Sequence, residues 1–293
     1  MDKKQWNVWQ EFEAGHFSPA YSFRKELPSG VLYDIQYFEL EHRYCLFKRD
    51  FTAPQIIDLP SLEIQEMGNE MTQFFDSYDR LKEMGLPRSR GILLYGSVGN
   101  GKSKSIEKLI LNFLDKYKGI VFDLQSDEAL CFYMDFFNSQ FRLLQPETKV
   151  ITVCEDIERF TGNERMMSML LNLLDGINSA EHFFIATTNY PQKLDERLNR
   201  PGRFDRRIRL PLPDEKLREH FFTEMFRKAK YKPDNMNELV KKSDGFSYAS
   251  LREFVVSVVV MRKSVDDTVN TLIELAKAPS AETGGRNTIG FNR

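Results

Sequence analysis

The spacing of apolar and polar positions changes several times along this chain. Residues 30–49 partly alternate apolar and polar side chains, which predicts one or two strands or a hairpin. Residues 50–60 contain two prolines and are typical of a linker. In residues 61–84 the apolar side chains recur at helical spacing, so a helix is predicted there.

Between residues 91 and 210, short apolar runs alternate with helical patterns. The apolar runs predict strands at 92–95, 120–124, 150–154, 182–187 and 207–210. The helices between them are predicted at 102–118, in the aromatic stretch up to residue 144, and at 163–176. Strands that alternate with helices indicate a parallel sheet with helices on both faces. We therefore expect an α/β fold built on a five-stranded parallel sheet.

Beyond residue 213 the pattern is helical throughout, with helices predicted at 214–231, 234–243, 248–262 and 266–277. The last residues are small and polar, which is typical of a disordered tail. The domains expected are an N-terminal strand-containing segment (1–55), a large α/β domain (56–212), a small all-helical domain (213–278) and the tail (279–293).

Composition and charge narrow the classes of function. With 41% hydrophobic and 29% charged residues, the chain resembles an ordinary globular protein. Its net charge of −2 argues against general binding to nucleic acid, which needs a strong excess of Lys and Arg. The longest apolar run, 254–261, is far shorter than the roughly 20 residues of a membrane-spanning helix, so no membrane segment is expected.

The three cysteines, Cys45, Cys131 and Cys154, are widely spaced and show no metal-binding pattern. Free thiols are expected in a reducing compartment, so a cytoplasmic location is predicted.

The segment Gly96-Ser-Val-Gly-Asn-Gly-Lys-Ser103 fits a phosphate-binding loop between a predicted strand and a predicted helix. Glycines let backbone N–H groups point toward phosphates, Lys102 supplies a positive charge, and the Ser103 hydroxyl can bind Mg²⁺. ATP and Mg²⁺ are therefore the expected cofactors. The predicted nucleotide-binding residues of this segment are Gly96, Ser97, Val98, Gly99, Asn100, Gly101, Lys102, Ser103 and Lys104.

A second chemical signal follows the apolar strand at 150–154, which ends in Glu155, Asp156 and Glu158. An ATPase with a phosphate loop needs one carboxylate near Mg²⁺ and another that activates the attacking water. Acids at the carboxyl end of a strand beside the phosphate-loop strand are placed for both tasks.

Together these motifs resemble those of the AAA ATPases in the AAA+ superfamily, over about residues 85–255. The resemblance covers Arg90–Gly96 before the loop, Leu170–Gly176, the sensor strand Ile185–Asn189, the second region of homology Leu194–Arg206, and the start of the lid helix, Gly245–Leu251. It implies a nucleotide site shared between subunits of a homo-oligomeric ring, and a hexamer is expected. The implied activity is ATP hydrolysis that remodels, disassembles or translocates a protein client, with no nucleic-acid partner expected.

The resemblance also implies roles for single residues. Asn189 would orient the attacking water or sense the γ-phosphate, and Arg200 and Arg203 would reach the ATP of a neighbouring subunit. Tyr248 stands where the family has a glycine, so it either stacks on adenine or packs inside the lid. For the arginines, the alternative is a solvated basic loop, in which Arg200, Arg203, Arg206 and Arg207 pair with Asp195, Glu196 and Asp205.

The chain departs from the family at its acidic strand end, where Glu155-Asp156 reverses the usual Asp-Glu order. In one register Glu155 approaches Mg²⁺ and Asp156 activates water. In the other, Asp156 binds the metal and Glu158 is the base. The order loosely resembles the mitochondrial translocase branch that assembles the Rieske subunit.

A further departure concerns the aromatic-hydrophobic-glycine pore loop of AAA unfoldases, which is missing between Leu124 and Leu144. Phe132, Tyr133 and Met134 could occupy such a loop, or the two aromatic residues could pack on a helix face with aromatic residues four positions away. Threading of a peptide is therefore a weaker expectation than ATP hydrolysis. Two rival functions stay open, a nucleic-acid motor or loader and a non-hydrolysing scaffold gated by ATP.

Overall fold

The computed structural model describes residues 8–13, 16–20, 26–39, 43–49, 61–86, 88–175 and 182–277. The strands are β1 (Val8–Glu13), β2 (His16–Ala20), β3 (Val31–Phe38), β4 (Arg43–Arg49), β5 (Ser89–Tyr95), β6 (Ile120–Asp123), β7 (Val150–Cys154), β8 (His182–Thr188) and β9 (Arg206–Arg209). The helices are α1 (Leu62–Asp76), α2 (Tyr78–Glu83), α3 (Lys102–Tyr117), α4 (Asp127–Phe136), α5 (Arg142–Leu144), α6 (Glu164–Leu174), α7 (Glu215–Ala229), α8 (Met236–Lys242), α9 (Tyr248–Val255) and α10 (Val265–Lys277). The predicted linker at 50–60, Gly176 and the predicted tail at 279–293 lie outside the described residues.

The chain divides into two compact units, residues 1–212 and 213–293. One sheet runs through the first unit in the order β1-β2-β4-β3-β6-β7-β8-β5-β9. The predicted strands β5 to β9 pair in parallel and form one half of this sheet. The predicted count of five strands is too low for the whole sheet, which has nine strands among the described residues because the N-terminal strands join its edge.

The N-terminal strands continue the sheet of the α/β domain instead of forming a separate segment. β3 pairs in parallel with β6, from Val31 opposite Ile120 to Asp34 opposite Asp123. On the other side of β3, β4 pairs with it antiparallel, β2 pairs with β4, and β1 pairs with β2, both also antiparallel. Pairing with β3 satisfies the backbone groups of β6 that an edge strand would expose, so β3 and β4 belong to the same folded unit as the phosphate loop.

Helices cover both faces of the sheet, as the alternating pattern predicts. On one face α1 and α3 pack through buried residues such as Met67, Phe75 and Phe113. On the other face α4 and α6 pack through residues such as Tyr133 and Leu170. Every residue of β8 is buried, because the central strands have apolar neighbours on both sides.

The aromatic stretch after β6 is a packed helix. Tyr133 in α4 is fully buried and Phe136 is 1% exposed. Phe132 stacks on Phe136 with ring centroids 5.4 Å apart, and Tyr133 stacks on Phe137 at 4.9 Å. These residues therefore contribute to the core, and the alternative of a projecting pore loop at Phe132 and Tyr133 does not hold in this structure.

The described residues of the second unit form helices joined by short turns and loops, and α7 to α10 lie where helices are predicted. Phe222 of α7 and Phe254 of α9 form its core contact, with ring centroids 5.4 Å apart. The buried Arg218 donates to the carbonyls of Pro213 and Val240 and so ties the start of α7 to α8. In the described part of the chain, no helix is both long and apolar enough to cross a bilayer.

Candidate functional site

The phosphate loop connects β5 to α3 in a backbone shape that requires glycine. A Cβ atom at Gly96 would lie 2.4 Å from the carbonyl oxygen of Leu210, so a larger residue does not fit there. Gly99 and Gly101 have φ angles of +79° and +83°, in the left-handed region that favours glycine. The loop leads into the N-terminus of α3, where free N–H groups and the helix dipole favour an anion. The loop therefore fits a bound phosphate group.

Three further loop residues, Ser97, Val98 and Asn100, and Lys104 complete the predicted nucleotide-binding segment. Ser97 and Val98 are exposed, and Lys104 forms an exposed ion pair with Glu107. Asn100 is 4% exposed, and its Nδ2 donates to the carbonyl of Leu210 at 3.1 Å. Its Oδ1 is buried and has no hydrogen-bond partner among the described residues. Asn100 thus anchors the loop to the segment after β9.

Lys102, the first residue of α3, is 8% exposed and directed at the loop. Its Nζ donates to the carbonyls of Gly96 at 2.8 Å and Ser97 at 3.1 Å. Burial lowers the pKa of Lys102, while the nearby carboxylates of Asp156, Glu158 and Glu155 oppose that shift. The lysine thus lies where phosphates would meet the acidic strand end.

Ser103 and Glu155 form the second contact of the site. The Ser103 hydroxyl donates to Oε2 of Glu155, so the two side chains lie together at the carboxyl edge of the sheet. Burial raises the pKa of Glu155, the bond from Ser103 lowers it, and the charges of Asp123, Asp156 and Glu107 raise it further. A hydroxyl and a carboxylate are the oxygen ligands that Mg²⁺ prefers, so this pair fits a magnesium ion.

Asp156 turns the chain sharply after β7. Its φ is +51°, a left-handed value that aspartate tolerates better than most residues. Its backbone N–H donates to Oγ1 of the buried Thr187 at 3.0 Å, which holds the turn against β8. The side chain is half exposed, with Arg159 3.8 Å from Oδ2. The carboxylate therefore faces the loop edge with one side open to solvent.

Asn189 joins these elements at the end of β8. Its Oδ1 accepts from Lys102 Nζ at 2.5 Å, and its Nδ2 donates to Asp156 Oδ1 at 2.9 Å. Its backbone N–H donates to Glu158 Oε1 at 3.4 Å. Oε2 of Glu158 is buried and has no hydrogen-bond partner among the described residues. The structure thus brings Lys102, Ser103, Glu155, Asp156 and Asn189 to one edge, and Glu158 adjoins them.

The two candidate trans arginines differ in their surroundings. Arg200 is exposed. Arg203 is 9% exposed, and its Nε and Nη2 donate to the two carboxylate oxygens of Asp175 at 2.6 and 2.8 Å. Its Nη1 donates to the carbonyl of Arg197. Arg203 is therefore bound within its own chain, where it ties the segment 194–206 to the end of α6.

Arg206 and Arg207 are exposed, but among the described contacts their partners are not the acids that the alternative of a solvated loop expects. Arg206 lies 3.5 Å from Glu66 and 3.7 Å from Glu70, which are both on α1. Arg207 donates to Asn199. Asp195 instead pairs with Arg197, which also binds Glu164. The contacts of Arg206 with α1 and of Arg197 with Glu164 connect this segment to other elements of the first unit.

Tyr248 lies in the helical unit, at the first position of α9. Its ring centroid is 5.8 Å from that of Phe221, so it takes part in packing inside this unit. The three cysteines are free thiols, as predicted, with Cys45 and Cys154 buried and Cys131 partly buried.

Three neighbours of the site carry roles that the sequence reasoning did not assign. Thr187 holds the Asp156 turn, Asp175 holds Arg203, and Asp123 ends β6 beside Glu155. Asp123 ends the apolar strand β6, and Glu155 directly follows the apolar strand β7, so both acids carry the same sequence signal. Thr187 and Asp175 lie in the segments 185–189 and 170–176, but the residues they contact are distant along the chain.

Comparison with known proteins agrees with this geometry. Residues 92–212 match the model of the family described as "ATPase family associated with various cellular activities (AAA)". A protein named "Putative cell division cycle ATPase" from Plasmodium falciparum (isolate 3D7) is 27% identical over 219 residues, which cover 69% of this chain. The match spans only 17% of the length of that relative.

The matched region begins in β5 and ends after β9, so it contains the phosphate loop, the acidic strand end, Asn189 and both candidate arginines. The kinship with the Rieske-assembly branch stays a prediction. Over residues 92–212, this chain is therefore similar to the ATPase domain of the AAA family, in sequence and in the geometry of the site.

Proposed function

We propose that this chain binds ATP with Mg²⁺ and hydrolyses it. The observation that carries the proposal is the amide of Asn189, which connects Lys102 of the phosphate loop to the carboxylate of Asp156. A group that contacts both lies where the γ-phosphate and the attacking water would meet. Asn189 can therefore orient the water while Asp156 accepts its proton.

The remaining site residues would bind the nucleotide and the metal. The backbone N–H groups of Gly96–Ser103 and the Lys102 ammonium would hold the phosphates. Ser103 and Glu155 would hold Mg²⁺ directly or through its water shell. Bound Mg²⁺ supplies positive charge that offsets the charge developing on the phosphates.

We further propose that the active form is a homo-oligomeric ring, with a hexamer as the first model, in which Arg200 acts on the ATP of a neighbouring subunit. Arg200 is exposed and can reach another chain. Arg203 can do so only if its contacts with Asp175 open. A guanidinium supplied from a neighbour stabilises transition-state charge without holding its own subunit's nucleotide.

Movements driven by hydrolysis would act on a protein client. The family match and the charge of −2 support a protein partner over a nucleic acid. Because Phe132 and Tyr133 pack in α4, these aromatic residues are not proposed to grip a threaded peptide. Remodelling without an aromatic pore triplet is therefore the form of activity that we propose.

ATP turnover and nucleotide affinity of the purified chain test the proposal. Lys102→Ala should abolish turnover and lower ATP affinity strongly, because no other lysine reaches the loop carbonyls among the described contacts. Lys116→Ala is the matched control. Lys116 is an exposed lysine of the same helix, and it pairs with Asp76 away from the phosphate loop. That variant should behave like the wild type.

Each rival function predicts a different result in the same assay. An assembled wild-type ring that binds ATP with no turnover would support a scaffold gated by ATP. Turnover that DNA stimulates, with an effect that weakens steeply as salt rises, would support a nucleic-acid motor or loader. Micromolar ATP affinity in Lys102→Ala would contradict the assignment of the phosphate loop.

A further inference from the structure

An ion cluster joins the N-terminal strands to the ATPase sheet. Asp34 of β3 and Asp123 of β6 are paired residues of neighbouring strands, and both are 8% exposed. Arg49, at the end of β4, donates to both carboxylates, through Nε to Asp34 at 2.9 Å and through Nη2 to Asp123 at 2.9 Å. Without Arg49, two carboxylates would face each other at the carboxyl edge of the sheet.

Asp123 is connected in turn to the acidic strand end. Its Oδ2 accepts from Gln125 Nε2 at 3.0 Å. The carbonyl of Gln125 accepts from Arg159 Nη1 at 2.5 Å. Arg159 follows Asp156 by one turn, and its other terminal nitrogen lies 3.8 Å from Asp156 Oδ2. A continuous series of polar contacts thus runs from Arg49 to the proposed catalytic acid.

Stability alone does not account for this cluster. Burial raises the pKa of Asp34 even though Arg49 donates to it, so the carboxylate is desolvated at a cost. Apolar side chains of similar volume would often stabilise a fold at least as well as a buried ion cluster. The pairing of β3 with β6 already has its backbone hydrogen bonds and the buried side chains of Leu32, Tyr33 and Ile35.

We propose that Arg49 is a positioning residue for the ATPase site. It holds Asp123, which fixes Gln125 and Arg159, and this keeps the carboxylate of Asp156 in place for hydrolysis. The N-terminal strands are then a working part of the catalytic unit. The proposal rests on the proposed ATP hydrolysis for its kinetic readout only.

The test compares Arg49→Met, Arg49→Lys and Arg49→Met/Asp123→Asn with the wild type. Arg49→Met keeps the apolar stem and removes the donors. We expect kcat to fall about 10-fold, because Arg49 supports the site through Asp123 without touching the nucleotide. KM and the Kd of a fluorescent ATP analogue should stay within about 3-fold of the wild type. Arg49→Lys should be intermediate, because an ammonium lacks the fork that reaches two carboxylates.

The double variant should recover part of the lost kcat. An amide at position 123 no longer repels Asp34, and it can still accept from Gln125. Arg88→Met is the matched control, because Arg88 is also a partly buried arginine but donates to Tyr78 at the opposite, amino end of β5. It should leave kcat unchanged.

Hydrogen exchange provides a readout that does not depend on turnover. In Arg49→Met, peptides covering residues 123–126 and 155–160 should exchange faster, while those from α3 should not change. Wild-type kcat with unchanged exchange would overturn the proposal. So would an exchange increase spread over the whole sheet, which would indicate a structural role. If the wild type itself showed no turnover, the proposed function would fail, and exchange at 155–160 would still decide the role of Arg49.

Discussion

Asn189 links Lys102 to Asp156 through the two atoms of one amide, accepting from the lysine at 2.5 Å and donating to the carboxylate at 2.9 Å. Asn189 follows β8, Lys102 begins α3, and Asp156 lies two residues after β7. The amide of Asn189 thereby connects three separate elements. Parallel strands place these three positions at one edge, because their carboxyl ends all point the same way.

Asn189→Ala should separate binding from hydrolysis. Lys102 keeps its bonds to the loop carbonyls, so ATP affinity should change by less than about 3-fold. Loss of the water-orienting amide should lower kcat on the order of 10²-fold. Asn189→Asp is the sharper variant, because it keeps an acceptor for Lys102 and replaces the donor to Asp156 with a like charge. An equal loss of kcat and affinity in both variants would contradict this role.

The two registers of the acidic strand end can be distinguished by paired substitutions. Asp156→Asn preserves the turn, since asparagine also tolerates the left-handed backbone at φ +51°. If Asp156 is the base, this variant should bind ATP and lose on the order of 10² or more in kcat. Glu158→Gln should then have a smaller effect. The reverse ranking would assign the base to Glu158, and stalled Asp156→Asn rings could also be used to capture the client.

Alanine substitutions at Arg200 and Arg203 should have different effects on stability. Arg200→Ala should leave the unfolding midpoint and ATP affinity unchanged, while kcat falls on the order of 10²–10³-fold at concentrations where the ring forms. Arg203→Ala should also lower the unfolding midpoint, because it leaves the carboxylate of Asp175 without its bidentate partner. Asp175→Asn should lower the unfolding midpoint in the same way but should leave kcat unchanged. Mixing Arg200→Ala with Lys102→Ala subunits should restore some turnover if the arginine acts in trans.

His182 should make the first unit sensitive to acid. It is 3% exposed and lies 2.7 Å from Thr152 Oγ1, which also contacts the Tyr133 hydroxyl at 2.7 Å. Burial lowers the pKa of His182 to about 3, below its ordinary value of 6.5. The neutral ring is therefore favoured in the fold, and its stabilising contribution is complete above pH 6.5 and is lost as pH falls toward 3.

Between pH 7 and pH 5 this one group should lower the free energy of unfolding by about 2 kcal/mol. Urea unfolding of the wild type and of His182→Leu at several pH values measures the effect. The variant should be less stable at pH 7 yet show a shallower decline toward pH 5, and the two curves should run parallel above pH 7. Parallel curves over the whole range would show that His182 does not titrate on unfolding.

Much of the phosphate site could be predicted from sequence because it is made of neighbours in the chain. The glycines, Lys102 and Ser103 lie within one loop and the first turn of one helix, and the apolar runs mark the strands around them. The contacts that complete the site have no such signal. Arg49 meets Asp123 across 74 positions, and Arg203 meets Asp175 across 28.

The sequence by itself determined the α/β class, the order of the five parallel strands along the chain, the phosphate loop and the candidate catalytic acids, because periodicity and motif spacing are local properties. Only the tertiary structure decided that the N-terminal strands extend the same sheet, that Phe132 and Tyr133 pack in a helix, and that Arg203 is bound to Asp175. These outcomes depend on which edge a strand joins and which face a helix buries. Both choices are made by the packing of distant segments, so no single stretch of sequence records them.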